Sequence, residues 1–150
     1  MSETDSPQSI SGETLSQITG SIVALYREHF GRGPTAAKTY ALDDVIVCVL
    51  RNGLTVIEKT LFNGGKADTV RTMRAAFQDA VADRFTGSIE ELTGQKVVAF
   101  MSQAHVDPDL AIEVFFLDRP VFPFGVNEEM ILTEASQPGV PESERDHSDI

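Results

Sequence analysis

Histidine and carboxylates gather at one place in this 150-residue chain, His105-Val-Asp-Pro-Asp109. An imidazole beside Asp107 and Asp109 could hold a divalent cation, and a His–Asp pair could move a proton. Asp-Pro-Asp is equally an ordinary turn sequence, in which His105 simply makes a loop hydrogen bond. No HxH, HExxH or EF-hand spacing accompanies it, so neither a metal site nor a catalytic residue is assigned. Anion binding is the other chemistry on offer. Gly31-Arg-Gly-Pro34 brackets Arg32 with glycines, and Gly-x-Gly lets backbone N–H groups share one concavity. Arg32 and Lys38 would add charge there. Arg71 and Arg74, one helical turn apart, could converge on the same place, with Lys59 and Lys66 near in sequence. The competing reading is a helix stop, a surface loop and a solvated helix face with Asp68 and Asp79 as counter-charges.

Other catalytic signatures are missing. There is no Gly-x-Ser-x-Gly, no Gly-Lys-Ser/Thr after the glycine loop and no Gly-x-Gly-x-x-Gly after a strand. The single cysteine, Cys48, lies in the apolar run Val45–Leu50 and reads as a buried, inert thiol. One cysteine can form neither an internal disulfide nor a multi-cysteine zinc site. His29 reads as a helix-end or core-edge residue, and His147 belongs to the tail. No cofactor is expected.

The elements that must position these residues follow from spacing. Leu15, Ile18, Ile22 and Leu25 recur at three- and four-residue steps and predict a helix from about Gly12 to Phe30, N-capped by Ser11. Gly31 and Pro34 should stop it. Gly20 sits inside that helix, which predicts a close approach by another element. A hairpin follows, with strands over 38–42 and 45–50 around Asp43-Asp44. The second strand is apolar at consecutive positions, so both of its faces should be covered. Thr55-Val-Ile-Glu58 has the form of a capping box and opens a short helix to about Phe62. A long helix should run from Ala67 to Leu92, with Gly87 kinking or interrupting it. A second hairpin, 96–102 and 110–117, closes the folded part. The whole is an α+β fold: two hairpins in one four-stranded antiparallel sheet, with three helices on one face. Both alternating positions of the strands are apolar, which predicts a homodimer or a standing partner over the second face.

Residues 1–11 read as a disordered tail, 12–118 as one domain, and 119–150 as an extended proline and aromatic segment followed by an acidic disordered tail. Met130-Ile-Leu132 could form a brief helical turn. Val121, Phe122 and Phe124 are candidates either for packing back or for docking a partner. The net charge is −11, of which residues 1–12 carry −2, 13–118 carry −4 and 119–150 carry −5. An acidic chain is a poor match for nucleic acid or anionic lipid. No apolar run approaches the roughly 20 residues of a membrane span, and no signal peptide precedes the first helix, so the expected location is the cytoplasm.

Taken together, Gly31–Pro34, Lys38-Thr-Tyr40, Val45–Leu50, Leu54-Thr55, Glu58–Leu61, Val70-Arg71 and Phe77-Gln78 resemble the MpsC-like family. The match is sharpest at Glu91–Gly94, Lys96–Ser102, His105, Asp107–Asp109 and Glu113–Phe115. It covers residues 11–117. The resemblance implies the soluble component of a cation-translocating, membrane-potential-generating system linked to inorganic-carbon uptake. It supplies no catalytic residues. Three functions follow in order: a non-enzymatic accessory or regulatory subunit bound to an integral-membrane ion-translocating partner, peripheral to the inner membrane face; a homodimeric anion or nucleotide sensor using Arg32, Lys38, Arg71 and Arg74; and an enzyme using His105 with Asp107 or Asp109.

Overall fold

Seven elements follow one another in the computed structural model, which describes residues 10–121: α1 (Gly12–Phe30), β1 (Ala36–Leu42), β2 (Val45–Arg51), α2 (Val56–Asn63), α3 (Ala67–Thr93), β3 (Val97–His105) and β4 (Leu110–Leu117). The expectations for residues 1–9, Phe122, Phe124, 130–132 and the acidic stretch to 150 lie outside the described residues.

The helix ends are local chemistry. Ser11 Oγ accepts the Thr14 amide at 3.0 Å, satisfying one of the free N–H groups of the first turn. Gly31 ends α1 in the left-handed region at φ 82°, its N–H bonding Arg27 O at 3.0 Å. Thr55 and Glu58 form a reciprocal capping box at the start of α2. Gly94, at φ 73°, stops α3.

The two hairpins join through β2 and β4, giving the antiparallel order β1-β2-β4-β3. Alternation then divides each strand. Ile46, Cys48 and Leu50 of β2 point to the helices, as do Glu113, Phe115 and Leu117 of β4, and all six are buried. Ile18, Ile22 and Tyr26 of α1 meet Phe85 and Ile89 of α3 over that face. Each such large side chain contributes roughly 1.5–3 kcal/mol by leaving water.

Several expectations change. Within the chain, no element among the described residues covers the outer face of β2: Val45, Val47 and Val49 are half-buried there, and the helices pack on the other side. Of the two readings of Val121, the structure takes packing back. Val121 is 1 % exposed within the core, and its N–H bonds Asp43 O at 2.8 Å, so the chain folds back over the first hairpin. With Ile10 also in the core, packing reaches past residues 12 and 118. His105 is the last residue of β3, because pairing runs on to His105–Leu110 and shortens the loop. Gly87 does not interrupt α3, which is continuous over 27 residues.

Gly20 has no close neighbour to accommodate. A Cβ at Gly20 or at Gly87 would meet nothing within 4 Å. Each glycine therefore carries the entropic penalty of a helix interior with no packing return inside the chain. Gly20→Ala and Gly87→Ala should each raise stability by about 0.5–1 kcal/mol in urea denaturation. A loss of stability in either would show that its site is more crowded than this.

Candidate functional site

Arg74 stands at the centre of the polar interior. Val70, Arg74, Gln78, Val81, Phe85 and Ile89 form the buried stripe of α3, so helical spacing carries this arginine inward. It is 2 % exposed. Its Nε and Nη2 donate to Glu58 Oε2 and Oε1 at 2.6 and 2.7 Å, the two-pronged geometry of a strong guanidinium–carboxylate pair. Nη2 also donates to Gly53 O at 3.0 Å. The guanidinium lies over the Phe30 ring, 4.0 Å from its centroid.

Glu58 is equally enclosed. Its Oε1 also accepts the Thr55 amide at 2.8 Å and the Thr55 hydroxyl at 3.0 Å, so one carboxylate serves the cap and the ion pair together. Burial alone would raise its pKa, but the Arg74 guanidinium and the Thr55 amide outweigh that and hold the carboxyl below its usual range.

The loop between β2 and α2 is held from three directions. Arg74 takes Gly53 O, Arg32 Nη1 donates to Leu54 O, and the Asp109 carboxylate accepts the amides of Gly53 and Leu54 at 3.2 and 3.0 Å. Asp109 is thus a backbone staple. His105 Nδ1 pairs with Pro108 O at 2.8 Å within its own turn, and Asp107 is exposed. Among the described residues, no three His, Cys, Asp or Glu side chains are placed to hold a metal ion.

The four cations read as an anion site are separated by the fold. Arg74 is consumed by Glu58, and half-buried Arg32 by a main-chain carbonyl. Arg71 is exposed and pairs with Asp68 at 2.6 Å. Lys38 is on the outer face of the sheet, 5.3 Å from the Tyr40 ring centroid, with the sheet between it and Arg74. The Gly31–Pro34 loop is no open nest either: a Cβ at Gly33 would come within 2.9 Å of Arg27 Cγ, so that side chain already occupies the space.

A second polar group, Glu113, was not anticipated. It lies on β4 opposite Cys48 and Ser102 and is wholly buried. The Tyr26 hydroxyl donates to its Oε2 at 2.6 Å, while Oε1 has no partner among the described residues. Burial pushes the Glu113 carboxyl up to about 7, a rise that the Tyr26 hydroxyl and the Arg74 charge only partly oppose. Burial likewise raises Tyr26 and lifts the Cys48 thiol to about 11, which leaves the thiol unreactive near neutral pH. The strand parity of Glu113, shared with Phe115 and Leu117, was the available sequence signal. For Arg74 it was the four-residue spacing from Val70 and to Gln78.

Two outcomes follow. Arg74→Met leaves Glu58 as an unpaired buried charge and should cost about 3–5 kcal/mol in urea denaturation; a loss near zero would show the pair to be dispensable. For Glu113, the folded pKa of about 7 exceeds the ordinary value of 4.5, so the folded state binds the proton more tightly. Its contribution is fully present below about pH 4.5 and is lost as pH rises to about 7. The urea midpoint should fall across that window and do so less in Glu113→Gln; equal slopes in the two proteins would place the titration elsewhere.

A family model described as "Na+-translocating membrane potential-generating system (MpsC)" matches residues 11–119. The chain is similar to the uncharacterized protein YrhF of Bacillus subtilis (strain 168), 27 % identical over 99 residues, which cover 65 % of this chain and 81 % of that protein. No solved structure matches.

Proposed function

The chain belongs to the MpsC family, and from that premise we propose that it is a non-enzymatic accessory or regulatory component of a Na+-translocating, membrane-potential-generating system. One observation supports this reading most directly. The strongest charges of the interior, Arg74, Glu58 and Asp109, are spent on one another and on the main chain, not presented to a substrate. The chemistry is that of a scaffold. Arg32 is occupied in the same way, and the dispersal of Lys38 and Arg71 removes the geometry that an anion sensor would need.

No helix among the described residues is long and apolar enough to cross a membrane. In the proposed role the component works at the cytoplasmic side, held peripherally by an integral-membrane subunit that carries the ions. Contact with that subunit is protein to protein. The acidic balance of the chain opposes direct adsorption on anionic lipid.

A tagged full-length chain, recovered from gently solubilised cells, should bring an integral-membrane ion-translocating subunit with it. Deleting the gene should lower the membrane potential and slow growth under carbon limitation. A clean preparation without such a subunit, together with an unchanged potential in the deletion strain, would overturn the role.

A further inference from the structure

The sheet face turned away from the helices is continuous, apolar and free of carboxylates, in a chain of net charge −11. Tyr40, Val47, Val114 and Met101 form one row across all four strands. Tyr40 is 49 % exposed, Leu42 46 %, Met101 56 % and Ile112 37 %. A patch of this kind on a folded domain marks a protein interface.

Within the strands of this face the formal charges, Lys38 and Arg51, stand at one end of the first hairpin. The Asp43–Asp44 turn closes the other end. Lys38 and Arg51 flank a shallow groove of about 360 Å³, lined also by Ala36, Tyr40 and Val49. Among the described residues, neither cation has an ion-pair partner, and neither do the two turn aspartates. The register gives these ends a simple relation. The turn lies between Leu42 and Val45, while Lys38 faces Val49 and Ala36 faces Arg51. The Tyr40–Val47 row is midway, about 12 Å from each end at the rise of an extended strand.

We propose that this face binds a second copy of the chain, sheet against sheet with the strands reversed, so that the Asp43–Asp44 turn of each copy enters the Lys38–Arg51 groove of the other. The two-fold axis runs across the strands over the row of Tyr40, Val47, Val114 and Met101. In this arrangement each cationic end meets the acidic turn of the other copy, whereas a two-fold axis along the strands would set the Lys38–Arg51 end over the Gln103–His105 end of β3, which offers it no carboxylate within the strands. Aligned packing of two twisted sheets suits it. Four strands about 4.8 Å apart and about seven residues long give a flat footprint of order 450 Å². The choice of a second copy follows from this self-matching: one hairpin carries both the acidic projection and its basic receptor. The acid-free face is also where two strongly acidic chains meet with least repulsion.

The inference is independent of the membrane role and is tested on the purified full-length chain. Sedimentation equilibrium at about 10 μM should give twice the 16.3 kDa chain mass. Val114→Lys sets two lysines together at the axis and should yield a monomer with unchanged far-ultraviolet circular dichroism. Arg51→Glu should weaken the dimer at least about tenfold, or ~1.4 kcal/mol, and Asp44→Arg added to it should restore much of that loss. A wild-type monomer would overturn the dimer. A dimer indifferent to Val114→Lys would overturn the face. Arg51→Glu unrelieved by Asp44→Arg would overturn the reversed orientation.

Discussion

The fold depends on one buried charge pair. Arg74 and Glu58 are both removed from water, at a desolvation cost of several kcal/mol for each ion. The pair is tolerable because Nε and Nη2 of the guanidinium and both carboxylate oxygens are hydrogen-bonded. Two guanidinium nitrogens meet two carboxylate oxygens, the spare donor capacity goes to Gly53 O, and the cap of α2 completes Glu58. The pair thereby ties α3 to α2 and to the loop that leaves β2, while the guanidinium rests on Phe30 at the end of α1. Segments far apart in sequence are registered by a single side chain.

Beside that bidentate pair lies a group with an unpartnered oxygen. Glu113 has the Tyr26 hydroxyl for one oxygen and no partner among the described residues for the other, and Arg74, its nearest compensating charge, is already engaged. The contrast explains why two buried glutamates move in opposite directions from the same ordinary value. A bidentate cation overcomes desolvation, whereas a single neutral hydroxyl does not. The interior thus combines a charged fastening with a proton-binding carboxyl, and neither resembles a substrate pocket.

The sheet has a corresponding asymmetry. Three helices cover one face and leave the other bare, so alternation that buries Ile46, Cys48 and Leu50 also displays Val45, Val47 and Val49. The excess of apolar strand positions was legible in the sequence, as were the helix stops at Gly31 and Gly94 and the capping box at Thr55. The roles of individual charges were much less legible. His105 and Asp109 looked like a chemical pair because they are close in sequence, yet they are spent on different main-chain groups. Gly20 looked like a packing contact because glycine in a helix needs a reason, and the chain supplies none within 4 Å.

The sequence by itself determined the elements, their ends, the α+β class and the membership of the MpsC family. Caps, turns and alternation act over a few neighbouring residues, so the information for them is local. Tertiary structure alone decided which of four cations is buried, which strand parity faces the helices, and that Val121 belongs to the core. Those outcomes rest on contacts across long chain separations, 16 residues for Arg74 with Glu58 and 87 for Tyr26 with Glu113. A buried charge selects its partner by the three-dimensional arrangement of donors and acceptors around it, and spacing along the chain carries only half of that arrangement.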